Sequence, residues 1–239
     1  MDERRLSLAL VVAAAGYGAR LGAELPKQYV PLLGIPMLQR TLTTLGACPL
    51  VDALVVVVNP EDVEYCWDEI DTEGIEGVVR VVAGGAERGI SVRNGLRELA
   101  AAGTWDLVGV HDGARPLVTC QEITRVVDVL TEDPTLDGAI LAIPSTDTIK
   151  IVDGAGRITS TPDRRSLWRA QTPQIFRRDV LFAAYEAPDE VLTGVTDDAA
   201  LVEALGKRVT VVQGSAENFK VTERVDLSHA EHILAERRR

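Results

Sequence analysis

The sequence predicts a doubly wound α/β fold in three layers, with a mostly parallel central sheet and a protruding β-hairpin arm. Three observations carry this. Short β-branched apolar runs alternate with helix-like segments along most of the chain. The runs are apolar throughout instead of alternating with polar residues, the pattern of strands buried on both faces of a parallel sheet. After "IPSTDTIK", which ends at residue 150, that rhythm breaks around a glycine turn.

Each element can be justified in turn. The strand-like runs are "LSLALVVAAA", "ALVVVV", "VVRVVA", "DLVGVHD" and "DGAILAI", and helical segments fall between them near 36–48, 61–71, 89–102 and 120–133. Strand and helix at this spacing imply right-handed crossovers. The segment "IKIVDGAGRITS" sets two short β-like runs around Asp153-Gly154-Ala155-Gly156 and reads as a hairpin. The helical pattern resumes near 178–187 and 196–205, followed by the strand "RVTVVQG" and a last helix whose terminal arginines, Arg237 to Arg239, complement its C-terminus. The expected organisation is one domain over 1–239, with an arm at about 147–169.

Composition narrows the function. The chain has 239 residues, 46% hydrophobic, with 25 basic and 36 acidic side chains and a net charge of −11. That balance argues against a nucleic-acid or anionic-membrane surface, so any anion site must be a local cluster of cations. The longest apolar runs are too short to span a bilayer, and the N-terminus lacks the pattern of a secretory signal, so a cytoplasmic protein is expected. Cys48, Cys66 and Cys120 are odd in number and far apart, which reads as three ordinary thiols. His229 and His232 stand three apart on a helix without a third ligand type and read as surface residues, not a zinc site.

In an open parallel sheet ligands gather at the carboxyl ends of strands, and the informative residues follow strands here. The first loop holds Gly16, Gly18 and Gly22, with Arg20 and Lys27 as cations. It is not a dinucleotide fingerprint, because Leu21 stands where the third glycine would be, and no Gly-Lys-Ser/Thr makes it a Walker loop. A plain tight turn is the bland alternative; the glycine backbone and the cation pair favour phosphate. In "GGAERGISV", Gly84 and Gly85 allow close backbone approach and Ser91 can bond the edge of a base. In "HDGARP", Asp112 is a hard oxygen ligand suited to Mg²⁺ and Arg115 can reach a phosphate, while His111 suits a packing or orienting role.

These loops, together with "DTIK", "DRRSLWRAQTPQ" and "ENFKVT" in the same order, make the chain from about 7 to 235 resemble the 2-C-methyl-D-erythritol 4-phosphate cytidylyltransferases of the non-mevalonate isoprenoid pathway. The resemblance implies a Rossmann-like nucleotidyltransferase fold and Mg²⁺-dependent attack of a polyol phosphate on CTP. It implies that Ala14, Ala15, Gly16, Gly18, Arg20, Lys27, Gly84, Gly85, Arg88, Ser91, Asp112 and Lys220 hold CTP, with Asp112 on the metal. Arg20, Lys27, Arg164 and Lys220 become the catalytic cations, and Arg115, Thr148, Arg164 and Thr196 the acceptor contacts. It further implies a homodimer in which the arm reaches the partner's site.

Other readings stay on the table. Ribitol 5-phosphate cytidylyltransferases share the scaffold and differ in the acceptor contacts. A silent nucleotide-binding protein would have no need of every cation at the reacting phosphorus. A nicotinamide dehydrogenase is disfavoured by Leu21 and by the lack of an acid at a strand end about 20 residues after the glycines. Ala86 departs from relatives that carry an acid after the second glycine, which leaves the strictness of CTP preference open.

Overall fold

A computed structural model describes residues 5–16, 25–70 and 74–238, apart from the side chains of 78 and 79. Its centre is a seven-stranded sheet. Strand β1 (Leu8–Ala14) lies between β4 (Val51–Val58) and β6 (Leu107–Asp112), parallel to both. A two-stranded ribbon, β2 (Pro31–Leu32) with β3 (Ile35–Pro36), precedes β4, and β5 (Val78–Ala83) closes one edge. On the other side come β7 (Gly138–Pro144), β10 (Trp168–Arg177) and β11 (Val209–Gln213), giving the order β11-β7-β10-β6-β1-β4-β5. Only β10 runs antiparallel to its neighbours in this sheet. From β1 the chain first builds outward through β4 and β5, then returns to β6 on the opposite side. The crevice therefore opens above the carboxyl ends of β1 and β6.

Strand β1 shows how the layers are separated. Leu8, Leu10 and Val12 join one apolar cluster with helices α1 (Met37–Gly46) and α4 (Cys120–Glu132), while Ala9 and Val11 join another on the opposite face. That second layer contains α3 (Arg88–Ala102), α5 (Arg178–Tyr185) and α7 (Asp198–Ala204). Helix α3 approaches closely because Gly95 faces the sheet: a Cβ there would stand 2.6 Å from Val11 and 2.7 Å from Val57. The short helices α2 (Val63–Glu69) and α6 (Asp189–Thr193) flank the loops, and α8 (Arg224–Glu236) covers the 113–118 segment through a third cluster with Ala114, Leu117 and Val221. Thr119 and Glu122 form a reciprocal cap at the start of α4.

The arm is present as β8 (Ile151–Val152) and β9 (Ile158–Ser160), antiparallel around a turn in which Asp153 accepts from the Ala155 and Arg157 amides at 2.9 Å. What the rhythm missed is β10. Its polar "RAQTPQ" centre hides a strand that is buried from Gln171 to Phe176, and its ladder shifts register between Ala170 and Gln174. The reading of three ordinary thiols is corrected as well. Cys48 and Cys120 are disulfide-bonded, with Cα atoms 5.2 Å apart, because the C-terminal end of α1 and the first residue of α4 meet on one face of the sheet. Cys66 is the free cysteine among them, and burial pushes its thiol up to about 12.

The loop after β6 is fixed by a buried histidine, in line with the orienting role expected of it. Thr172 Oγ accepts from the Asp112 amide at 3.0 Å and meets His111 Nδ1 at 3.1 Å, and His111 Nε2 meets the Arg115 carbonyl at 3.2 Å. A neutral ring protonated at Nε2 satisfies every group in this chain: the threonine hydroxyl donates to Nδ1 and Nε2–H donates to the carbonyl. Burial, more than any neighbour, lowers the His111 pKa from 6.5 to about 4. A lowered histidine contributes stability that is complete above about pH 6.5 and is lost as the pH falls toward 4. The gap corresponds to about 3 kcal/mol. Guanidinium unfolding at pH 7 and pH 4 tests this: the wild-type advantage over His111→Asn should shrink by roughly that amount, and a constant advantage would refute it.

Candidate active site

Two cavities open above the strand ends. The larger, about 460 Å³, is lined by Ala14 at the end of β1 with Ala15 and Gly16 after it, Asn59 after β4, Gly85 to Arg88 after β5, and Lys27 from the 3₁₀ turn Lys27–Tyr29. The smaller, about 260 Å³, is lined by Arg115, Gln171, Thr172, Gln174, Thr196 and Asp197. Arg88, Asp112 and Lys220 line both and form the wall where the cavities meet.

Asp112 organises that wall. Its buried carboxylate pairs through Oδ2 with Lys220 Nζ at 3.1 Å and Arg115 Nε at 3.2 Å, while Arg88 Nε lies 3.8 Å from Oδ1. Burial alone would raise its pKa, but Lys220, Arg88 and Arg115 together hold it well below the usual carboxylate range. Arg115 also donates to the Asn218 carbonyl at 2.8 Å, and Asn218 donates to the Thr172 carbonyl at 3.0 Å. The Val221 amide bonds the Ala114 carbonyl at 2.8 Å, so the "ENFKVT" segment is stitched to "HDGARP".

On the other side of the larger cavity the Gly85 amide donates to Ser91 Oγ at 3.0 Å, and the hydroxyl lies 3.0 Å from the Glu87 carbonyl, its acceptor. The serine thus fixes the glycine turn and retains acceptor capacity on one remaining lone pair. A Cβ at Gly84 would stand 2.7 Å from both Ala15 Cβ and Ser91 Oγ, so this turn requires glycine. Ala86 also lines the cavity.

Most of the residues singled out from sequence therefore come together: Ala14, Ala15, Gly16, Lys27, Gly84, Gly85, Arg88, Ser91, Asp112 and Lys220 surround the larger cavity or its glycine turn, and Arg115 and Thr196 the smaller. Gly18 and Arg20 lie outside the described residues. Thr148 and Arg164 stand apart on the arm, both exposed, with Arg164 donating to the Thr146 carbonyl at 3.5 Å; among the described residues that line these two cavities, neither appears.

Sequence reasoning missed the buried residues behind this surface. Asp198 receives both Nη groups of Arg88 at 3.0 and 2.7 Å and the Tyr185 hydroxyl, and Gln174 accepts from the Asp198 and Ala199 amides at 3.1 and 2.9 Å. The acidic start of "DDAALVEAL" announces a helix N-terminus, but nothing local tells which acid turns inward. Among the described residues no group of three or more His, Cys, Asp or Glu could hold a metal, and His229 stacks on Phe219 at 4.9 Å. A cation held by Asp112 would need most of its ligands from phosphate and water, as Mg²⁺ accepts. Among the described residues no helix is long and apolar enough to cross a membrane.

Comparison with known proteins agrees with this geometry. Residues 8–236 match the model of the family described as IspD: 2-C-methyl-D-erythritol 4-phosphate cytidylyltransferase. The enzyme of that name from Geobacter metallireducens is 43% identical over 229 residues, covering 95% of this chain and 97% of its own. The one from Geotalea uraniireducens is 44% identical over 226 residues, covering 94% and 95%. The crystal structure of the 4-diphosphocytidyl-2C-methyl-D-erythritol synthase from Anaerococcus prevotii superposes with a TM-score of 0.81 at 28% identity, over 97% of this chain and 100% of that one. A sheet whose loops bring scattered cations to one wall, and matches that run almost from end to end, make this chain a member of the IspD family, the nucleotidyltransferases described as 2-C-methyl-D-erythritol 4-phosphate cytidylyltransferases.

Proposed function

We propose that the chain, acting as one nucleotidyltransferase unit over 1–239, transfers the cytidylyl group of CTP to 2-C-methyl-D-erythritol 4-phosphate, with pyrophosphate as the second product. The observation that carries this reading is the shared wall of Arg88, Asp112 and Lys220 between two cavities. Two anions must meet there, and their repulsion is the barrier that cations can lower. An ionised oxygen of the acceptor phosphate attacks the α-phosphorus of CTP. The new P–O bond forms as the bond to the β-phosphate oxygen breaks, and pyrophosphate leaves with that electron pair. The attacking oxygen carries its charge at neutral pH, so no general base is needed, and direct displacement requires no protein nucleophile.

Arg20, Lys27 and Lys220 stabilise the charge on the five-coordinate phosphorus, and Gly16 and Gly18 bring backbone amides to the phosphates. Asp112 would hold the divalent cation, its Oδ1 being the oxygen not taken by Lys220 and Arg115. When bound, Mg²⁺ neutralises phosphate charge. Ala14, Ala15, Gly84, Gly85 and Ser91 frame the base, and the acceptor capacity left on Ser91 suits the amino group of cytosine, not the carbonyl of uracil.

The acceptor side combines Arg115 and Thr196 of one protomer with Thr148 and Arg164 from the arm of its partner. Exposed Ile149, Ile151, Val152 and Ile158 on that arm support such a homodimer. The relatives carry the methylerythritol name, so ribitol 5-phosphate is not favoured as acceptor. We infer a cytoplasmic enzyme, since that compartment supplies CTP.

Pyrophosphate release with CTP and each acceptor tests the function: methylerythritol phosphate should support turnover and ribitol 5-phosphate should not, and the reverse would overturn it. Lys27→Ala and Arg20→Ala should each lower turnover by about 10²- to 10³-fold at an unchanged melting temperature; near-normal rates would remove their assignment. Arg164→Ala should raise KM for the acceptor by about tenfold or more and leave that for CTP within about twofold. Excess chelator should abolish activity and added Mg²⁺ restore it, whereas turnover in chelator would exclude the divalent cation.

A further inference from the structure

Arg88 stands on the wall between the cavities, yet its guanidinium is committed elsewhere. Both Nη groups donate to the two oxygens of Asp198, at 3.0 and 2.7 Å, in a bidentate pair. Asp198 is fully buried and fixed from three sides: by Arg88, by the Tyr185 hydroxyl that donates to Oδ1, and through its amide by the buried Gln174. Gln174 in turn donates to Asp197 Oδ2 at 3.1 Å, on the wall of the smaller cavity. Burial opposes the charge of Arg88, but Asp198 outweighs it, and the arginine is held more firmly protonated than usual.

A second carboxylate competes for the same cation. Arg88 Nε is 3.8 Å from Asp112 Oδ1, inside ion-pair range and beyond hydrogen-bond reach. The two oxygens of Asp112 are thereby made unequal: Oδ2 is occupied by Lys220 and Arg115, while Arg88 is stopped short of Oδ1. A freed guanidinium would close on Oδ1 and cap it.

We infer that Asp198 is a positioning residue: by holding Arg88 in a bidentate pair, it keeps the guanidinium off Asp112 and leaves one carboxylate oxygen open to the divalent cation. This rests on the metal–nucleotide reading proposed above. It assigns a function to a side chain that touches neither cavity and acts only through Arg88.

The test is Mn²⁺ binding to the CTP-saturated enzyme without acceptor, followed by water-proton relaxation, in wild type, Asp198→Asn and the Arg88→Ala/Asp198→Asn double variant. Asp198→Asn should weaken Mn²⁺ binding by about tenfold or more, as loss of a partner behind a metal ligand commonly does. The double variant should return to within about threefold of wild type, since the capping group is gone. Unchanged affinity in Asp198→Asn, or a double variant as weak as the single one, overturns the inference, because Asp198 would then not act through Arg88. Should Asp198→Asn fail to fold by circular dichroism, the double variant still decides, as removing both partners leaves no lone buried charge: wild-type or tighter Mn²⁺ binding supports the inference and weaker binding overturns it. Failure of the wild type itself to bind Mn²⁺ with CTP would instead sink the underlying metal reading, and the inference with it.

Discussion

A buried carboxylate ringed by cations is the constraint on which the rest of the site depends. Asp112 is almost removed from water, which by itself raises its pKa, and Lys220, Arg88 and Arg115 outweigh that and hold it ionised. In a chain of net charge −11, polyphosphate meets an unfavourable field almost everywhere. A fixed negative charge at the strand end pairs with Arg115 of its own loop and with Lys220 from a distant segment, while Arg88, held by Asp198, stands within ion-pair range of it before any ligand arrives. Preorganised cations lower the barrier to anion–anion attack because they need no rearrangement at the moment of reaction.

The fold supplies the distances. Strand β6 ends beside β1 at the point where the chain reverses its direction of growth across the sheet, so the "HDGARP" loop has room above both strands. Antiparallel β10 then brings Gln171 and Thr172 against that loop from the other side, and the Thr172 hydroxyl bridges the Asp112 amide and His111. Asn218, wholly buried, ties Arg115 and Thr172 to the segment that carries Lys220. Asp112, Arg115 and Arg88 are thus buttressed by polar side chains from other elements, the arrangement a site needs to keep its geometry.

Most strands were legible because fully buried parallel strands are written as uninterrupted apolar runs, and most cavity residues because they follow those runs directly. β10 was illegible for the converse reason: Gln171, Thr172 and Gln174 are polar in sequence, but in the fold they bond the 215–218 segment, His111 and the start of α7. The Cys48–Cys120 disulfide spans 72 residues, and only the side-by-side placement of α1 and α4 on one sheet face reveals it. Asp198 looks like one more acid at the start of a helix, and its identity as the partner of Arg88 is a contact across 110 residues. Local pattern reports what a residue is next to in sequence; it carries no information on which of two adjacent acids meets a distant arginine.

The arm raises a different physical point. Ile151, Val152 and Ile158 are 50%, 52% and 63% exposed, on strands of two and three residues. A two-stranded ribbon that short has little to hold it in water. Its apolar side chains gain burial only against another surface, and in the proposed homodimer that surface is the partner. The residues assigned to the acceptor, Thr148 and Arg164, lie on this segment and line neither of the two cavities described above. In the assembly proposed above, the nucleotide contacts lie within one protomer and half of the acceptor contacts come from the partner's arm, so that proposal makes assembly a condition of recognising the second substrate.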